Sequence, residues 1–156
     1  MALTTVVKVK ALGFEPEHFN LTTAEELSTL IAGPLINGEE TRIGGCVAEA
    51  AKRLKVWMGA AAYTDAEQES PSDPTRAAAM VDAETFLTAV ELVKIQRQRA
   101  LALVGSFKAD NVSSGISEGN LRAFDTQEDY WLAQASRVLR PWLSGGAGFA
   151  SKEEEL

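Results

Sequence analysis

One histidine, His18, and one cysteine, Cys46, are all that 156 residues offer to chemistry that relies on imidazole or thiolate. A single cysteine forms no internal disulfide, which suits folding in a reducing compartment. Two such residues are too few for a Cys/His zinc site, and a catalytic His18 would need a nucleophile or carboxylates brought to it by the fold. His18 therefore reads as a surface or packing residue, and Cys46 as a small core residue. No run of eighteen apolar residues occurs, so no helix is expected to span a membrane. The N-terminus lacks a cationic region ahead of an apolar stretch, unlike a signal peptide. Positive charge is also scarce: 15 Lys and Arg stand against 22 Asp and Glu, a net −7. Proteins that grip duplex DNA through its phosphates need the opposite balance.

What is present is enough apolar residue, 46%, for one domain with a real core. The acidity is uneven: residues 59–82 carry one positive and five negative charges, and residues 111–156 four and seven. Adjacent acidic pairs (Glu25/Glu26, Glu39/Glu40, Glu128/Asp129) point about 100° apart on a helix and suit helix starts or solvated faces. Gly44-Gly45 and Gly115-x-x-x-Gly119 lack the Gly-Lys-Ser/Thr that completes a phosphate loop. No cofactor, metal or catalytic residue is expected, and the chain reads as a non-enzyme.

The pattern is that of an all-α protein, a small bundle of about four helices with flexible ends. Residues 1–21 read as an extended arm or short edge strand, because Val6, Val7, Val9, Leu12 and Phe14 alternate only loosely. Residues 22–143 form the bundle and residues 144–156 a flexible tail. Thr22-Thr-Ala-Glu-Glu26 is a helix start leading to about Ile31, where Gly33-Pro34 ends it. A second helix spans about Glu39 to Met58, with a stripe at Ile43, Val47, Ala50, Leu54 and Trp57. Gly44-Gly45 within it predicts a kink or a close helix contact. Gly59 to Asp73 reads as an acidic linker. Asp73-Pro74 opens a long helix to about Val104, with a break expected near Asp82. Its face of Phe86, Val90, Val93, Arg97, Ala100 and Val104 is widened by Leu87, Leu92 and Ile95. Such a helix is central to a bundle or covered by a neighbouring subunit. Gln96, Arg97 and Arg99 read as an ordinary solvated face.

Gly105 to Phe124 reads as an irregular loop with a short hairpin, since Ser117-Glu-Gly-Asn120 is turn chemistry. Thr126-Gln-Glu-Asp129 then resembles a capping box for a last helix carrying Trp131, Leu132, Ala135, Val138, Leu139 and Trp142, ended or kinked at Pro141. Trp131 and Trp142, eleven residues apart, share a face. Trp142 is a candidate intersubunit anchor, and Phe149 is the one apolar ring on the tail.

The order of these elements resembles the head–tail connector (adaptor or head-completion) proteins of long-tailed bacteriophages. The resemblance rests on the Thr22-capped short helix, the helix ending at Trp57, and the acidic Pro-bearing linker before an Ala-rich long helix. It rests also on Ser113-Ser-Gly-Ile-Ser-Glu-Gly-Asn-Leu-Arg-Ala-Phe124 ahead of a helix closing on Leu139-Arg-Pro-Trp142. It covers most of the chain from Thr22, through order and spacing more than through any single motif; residues 1–20 and the acidic Glu153-Glu-Glu155 depart from the pattern. It implies a virion structural protein made in the host cytoplasm and lodged in the neck of the particle. There it would form a homo-oligomeric, twelve-fold ring between the portal and a tail or stopper protein, with DNA passing through without sequence-specific binding. The residues carried over as an oligomer or portal interface are Ser114, Gly115, Ile116, Glu118, Gly119 and Leu121 in the loop, and Trp142, Leu143 and Phe149 at the C-terminal end. A small-terminase-like DNA-packaging subunit is the second reading, although the basic stretch Lys94 to Arg99 lacks a helix-turn-helix setting. A cellular helical interaction module is a further alternative, and a small enzyme is the reading least favoured by the residue inventory.

Overall fold

Asp73 starts the helix around which everything else is arranged. Its carboxylate accepts from the Arg76 N–H (3.0 Å) and its carbonyl from the Ala77 N–H (2.9 Å), and Pro74 occupies the first turn, where no N–H is needed. In the computed structural model, which describes residues 3–32, 45–109 and 118–143 (side chains outside 102–121), this helix runs unbroken over Pro74–Ala109. Thirty-six residues make it about 54 Å long at 1.5 Å per residue. The break expected near Asp82 does not occur. Thr85 and Thr88 donate their hydroxyls to the Val81 and Glu84 carbonyls (2.8 and 2.7 Å), so these polar side chains are satisfied within the helix. The helix also continues through Gly105, whose cost of about 1 kcal/mol does not stop a helix already propagating.

The chain is all-α among the described residues: α1 (Val6–Lys10), α2 (Ala24–Ala32), α3 (Cys46–Met58), α4 (Ala60–Ala66), α5 (Pro74–Ala109) and α6 (Glu118–Leu139). Short 3-10 turns lie at Pro16–Phe19 and Arg140–Trp142. Helix α5 is the centre. It packs against α3, α4 and α6, and α1 and the Pro16–Phe19 turn close over it. One set of buried side chains joins Val9, Phe14, Phe19, Leu27, Ile31 and Val47 to Leu92 and Val93. The other joins Leu54, Trp57, Tyr63, Ala135 and Leu139 to Met80, Ala83 and Leu87. Of the two explanations for an unusually apolar α5, centrality is the one seen, since Met80, Leu87, Leu92 and Val93 are fully buried within a single chain. The large apolar side chains that remain exposed among the described residues, Val7, Val56, Leu101 and Tyr130, lie on four different helices.

The N-terminal residues are not an extended arm. Thr5 caps α1 by accepting from the Lys8 N–H (3.3 Å), and the Glu15 N–H donates to His18 Nδ1 (3.1 Å), which fixes the Pro16–Phe19 turn. Asn20 then reverses the chain in the left-handed region at φ 59°. Loose apolar alternation misled here because Val9, Phe14 and Phe19 all point into the core, from a helix, a turn and a 3-10 segment in succession. Thr23 is the threonine that caps α2, accepting from the Glu26 N–H (3.1 Å), while Thr22 donates to the Glu26 carboxylate (3.0 Å).

Residues 59–73 are likewise more than a linker. Gly59, at φ 90°, lets the chain leave α3 and enter α4 directly. Asp65 then receives the Ser72 N–H (3.1 Å) and Arg76 Nη2 (3.1 Å), bonds that hold its carboxyl below the usual carboxylate range and close the segment onto α5. The close contact expected at Gly44-Gly45 is real at Gly45, where a Cβ would run into the Leu30 and Ile31 carbonyls of α2. The helix starts at Cys46, later than the expected Glu39, and Gly45 is its N-cap instead of a residue within it; Gly44 and the residues back to Glu39 lie outside the described residues.

Deepest of all is Glu84, fully buried on α5. Its Oε1 accepts from the Leu3 and Thr4 N–H groups (2.7 and 3.0 Å) and its Oε2 from the Tyr63 hydroxyl (2.6 Å). Thr4 and Thr85 hydroxyls bond beside it at 2.6 Å. Burial, followed by the hydrogen bond and charge of Glu84, pushes the Tyr63 phenol well above the ordinary tyrosine range.

Replacing Glu84 by Ala strands three donors and is expected to cost about 3 kcal/mol or more in urea denaturation. Glu84→Gln should cost less, because the Tyr63 hydroxyl can turn to accept from the new amide. As Tyr63 stays protonated in the fold but ionises in the unfolded chain, stability should fall as pH rises above about 10. Tyr63→Phe should flatten that slope in denaturation curves collected between pH 8 and 11. Gly45→Ala is expected to destabilise by about 1–3 kcal/mol through overpacking against α2, read as a lower urea midpoint.

Candidate functional site

Helix α6 lies antiparallel on α5, and its register can be followed by side-chain pairs. Arg97 meets Asp125 and, at 3.9 Å, Glu128; Phe86 stacks on Trp131 with ring centroids 5.8 Å apart; Leu139 reaches the cluster around Met80. The charged pairs form a ladder: Arg53 to Glu91 (3.4 Å), Lys94 to Glu91 (3.5 Å) and Lys94 to Glu128 (4.0 Å). Arg99 donates to the Phe19 carbonyl and so ties α5 to the N-terminal turn. Gln96, Arg97 and Arg99 are therefore not an ordinary solvated face, because carboxylates and a carbonyl within the chain use the two guanidinium groups. Half-exposed pairs of this kind contribute about 0–1 kcal/mol each, so they set register more than stability.

The start of α6 corrects the loop expected over Gly105 to Phe124. Helix α5 extends to Ala109, and Glu118, Gly119 and Asn120, expected in a hairpin turn, are helical. Thr126 is not a cap; it sits inside α6 and donates to the Arg122 carbonyl (2.9 Å). Of the candidate interface residues, Glu118, Gly119 and Leu121 thus fall on the first turn of α6, while Ser114, Gly115, Ile116 and Phe149 lie outside the described residues. Trp142 and Leu143 stand at the far end, in and just after the 3-10 turn built on Pro141. Leu143 packs on the set of buried side chains around Met80 and Leu139, and Trp142 is half-buried. Glu118 and Trp142 thereby stand at opposite ends of α6, which is 22 residues or about 33 Å long. Trp131, the other aromatic on this helix, is half-buried and spent on Phe86 and Tyr130 within the chain.

Midway along α6, a groove of about 570 Å³ separates the N-terminal segment from the α5–α6 pair. Leu12, Gly13, Phe14 and His18 form one side, Gln96 contributes from α5, and Phe124, Thr126, Gln127, Tyr130 and Trp131 form the other. Gln96 Oε1 is buried and accepts no hydrogen bond. The Glu15 N–H occupies His18 Nδ1, so the neutral ring carries its proton on Nε2. Reading the sequence missed this groove. A recoverable signal was Glu15-Pro-Glu-His18, in which a histidine three residues into a Pro-started turn can bond back to the residue before it. Nothing local revealed that α6 would lie opposite.

Cys46 is buried at the start of α3, as expected of a core residue. Among the described residues no three or more His, Cys, Asp or Glu side chains gather as a metal ion would require, and no helix is long and apolar enough to cross a membrane.

The seam makes an unequal pair of predictions for thermal or urea unfolding. Trp131→Ala should cost about 3 kcal/mol through lost packing, and Arg97→Ala less than about 1 kcal/mol. No family model matches the chain, and no curated protein or solved structure matches it.

Proposed function

We propose that the protein is a virion structural subunit, a head–tail connector that forms a ring between portal and tail and lets DNA pass. The observation that carries this reading is polar placement. The two segments that the resemblance to phage connectors nominates for docking leave opposite ends of one rigid antiparallel pair, about 33 Å apart. A subunit that must touch a component on either side needs two such ends and a stiff body between them. Helix α5, buried along its middle by the chain's own α3, α4 and α6, supplies that stiffness. The net charge of −7 suits a passage that a polyanion crosses without adhering. The DNA-packaging alternative has less to draw on, since Lys94, Arg97 and Arg99 in the nearest basic stretch are engaged within the chain.

Mixing the purified protein with the portal of its particle and imaging by negative stain tests the proposal. An added ring is expected, and Ile116→Asp or Trp142→Ala should each reduce its occupancy severalfold while leaving the helical circular-dichroism signal intact. Isolated protein and unadorned portals at every concentration would overturn the reading.

A further inference from the structure

We propose that the groove midway along α6 holds the chain's own C-terminal tail, with the Phe149 ring against Tyr130 and Trp131, an autoinhibitory contact that withholds this segment from other surfaces. The inference goes beyond the connector reading and does not depend on it. The groove has aromatic walls, Phe14 on one side and Phe124, Tyr130 and Trp131 on the other. Tyr130 and Trp131 meet edge to face with ring centroids 4.9 Å apart, and Tyr130 is 54% exposed. Rings gain from offset or edge-on contact with other rings, so such walls favour a segment that carries a ring of its own. Among the described residues no Lys, Arg, Asp or Glu lines the groove, which suits an uncharged segment. The Glu15 N–H holds His18 Nδ1, so His18 Nε2–H is the edge that can donate to a backbone carbonyl.

Of residues 33–44, 110–117 and 144–156, only the last group contains an aromatic side chain, Phe149. The uncharged Ser144-Gly-Gly-Ala-Gly148 precedes it. Leu143 and Leu3 pack on the same set of buried side chains, so the tail departs where the N-terminal segment starts and α6 ends. Trp131 and Tyr130 lie about 18–20 Å back along α6 in helical rise. Six residues from Leu143 to Phe149 extend about 20–22 Å, so the ring arrives at this near side of the groove and not at Phe124 beyond it. Ordering a glycine-rich segment is costly, which keeps the contact weak, and the tether then decides the occupant. A linker this short presents the tail at an effective concentration on the order of millimolar, which a second copy's tail in dilute solution does not approach.

The test compares the native full chain with Phe149→Ala, each at a concentration where light scattering finds a monomer. A fluorescein-labelled peptide of residues 144–156 is followed by fluorescence anisotropy. Saturable binding to the Phe149→Ala chain is expected, and binding about tenfold or more weaker to the native chain, whose own tail competes. Adding Tyr130→Ala to the Phe149→Ala chain should weaken binding about tenfold while the helical circular-dichroism signal is kept. A peptide that itself carries Phe149→Ala should not bind. Equal binding to the native and Phe149→Ala chains would overturn the inference, as would no binding to either or indifference to Tyr130→Ala. Exclusion by the native chain that fades on dilution would also overturn it, because the occupant would then be a neighbour's tail. Portal docking is scored separately: a native chain that excludes the peptide and never joins a portal keeps this inference and loses the connector reading, and the reverse pattern does the opposite.

Discussion

A carboxylate sealed away from water has to be surrounded by donors, and this requirement at Glu84 organises the molecule. Its two oxygens hold the backbone of Leu3 and Thr4 and the hydroxyl of Tyr63, so residues from the N-terminus, from α4 and from the first third of α5 are locked at one point. Desolvating such a group without partners would cost several kcal/mol, which makes the arrangement all-or-none. The chain start is thereby drawn across α5, and α1 with the Pro16–Phe19 turn follows into the core behind it. The groove above Gln96 exists because that N-terminal segment lies alongside α6 instead of trailing into solvent.

The burial of α5 has a consequence for assembly. A helix rich in Leu, Val and Ala suggests surface left for neighbours, yet Leu92, Leu87 and Val93 are all covered within one chain. If copies associate, the contacts must come from discrete features: the ends of the α5–α6 pair, the groove, and side chains such as Tyr130 and Val56 that stand alone on the surface. Interfaces of that kind are often assembled from short segments that become ordered on binding, with the affinity concentrated in a few aromatic anchors.

Several elements are legible in the residues alone. Thr23 and Asp73 are caps where caps were expected, Cys46 is a core residue, and the all-α class follows from the helical spacing of apolar positions. The misreadings share one physical origin. Turn-forming residues such as Ser117-Glu-Gly-Asn120, or alanines between acidic residues as in 60–66, have no strong local preference, and packing against α5 decided their state. The candidate interface residues were legible only as a pattern. Their separation by the length of α6 was not, because it depends on where that helix begins.

By itself the sequence determined the all-α class, the caps at Thr23 and Asp73, the small number of Cys and His and the negative net charge, since each depends on residue type and on neighbours a few positions away. Only the tertiary structure decided that Glu84 would bind the chain's own N-terminus, that Arg97 would meet Asp125, and that His18 and Gln96 would face one groove. Those contacts join positions 28 to 81 residues apart. Chain connectivity places no such pair together; hydrophobic burial around α5 does, and the polar groups carried inward with it must then find one another.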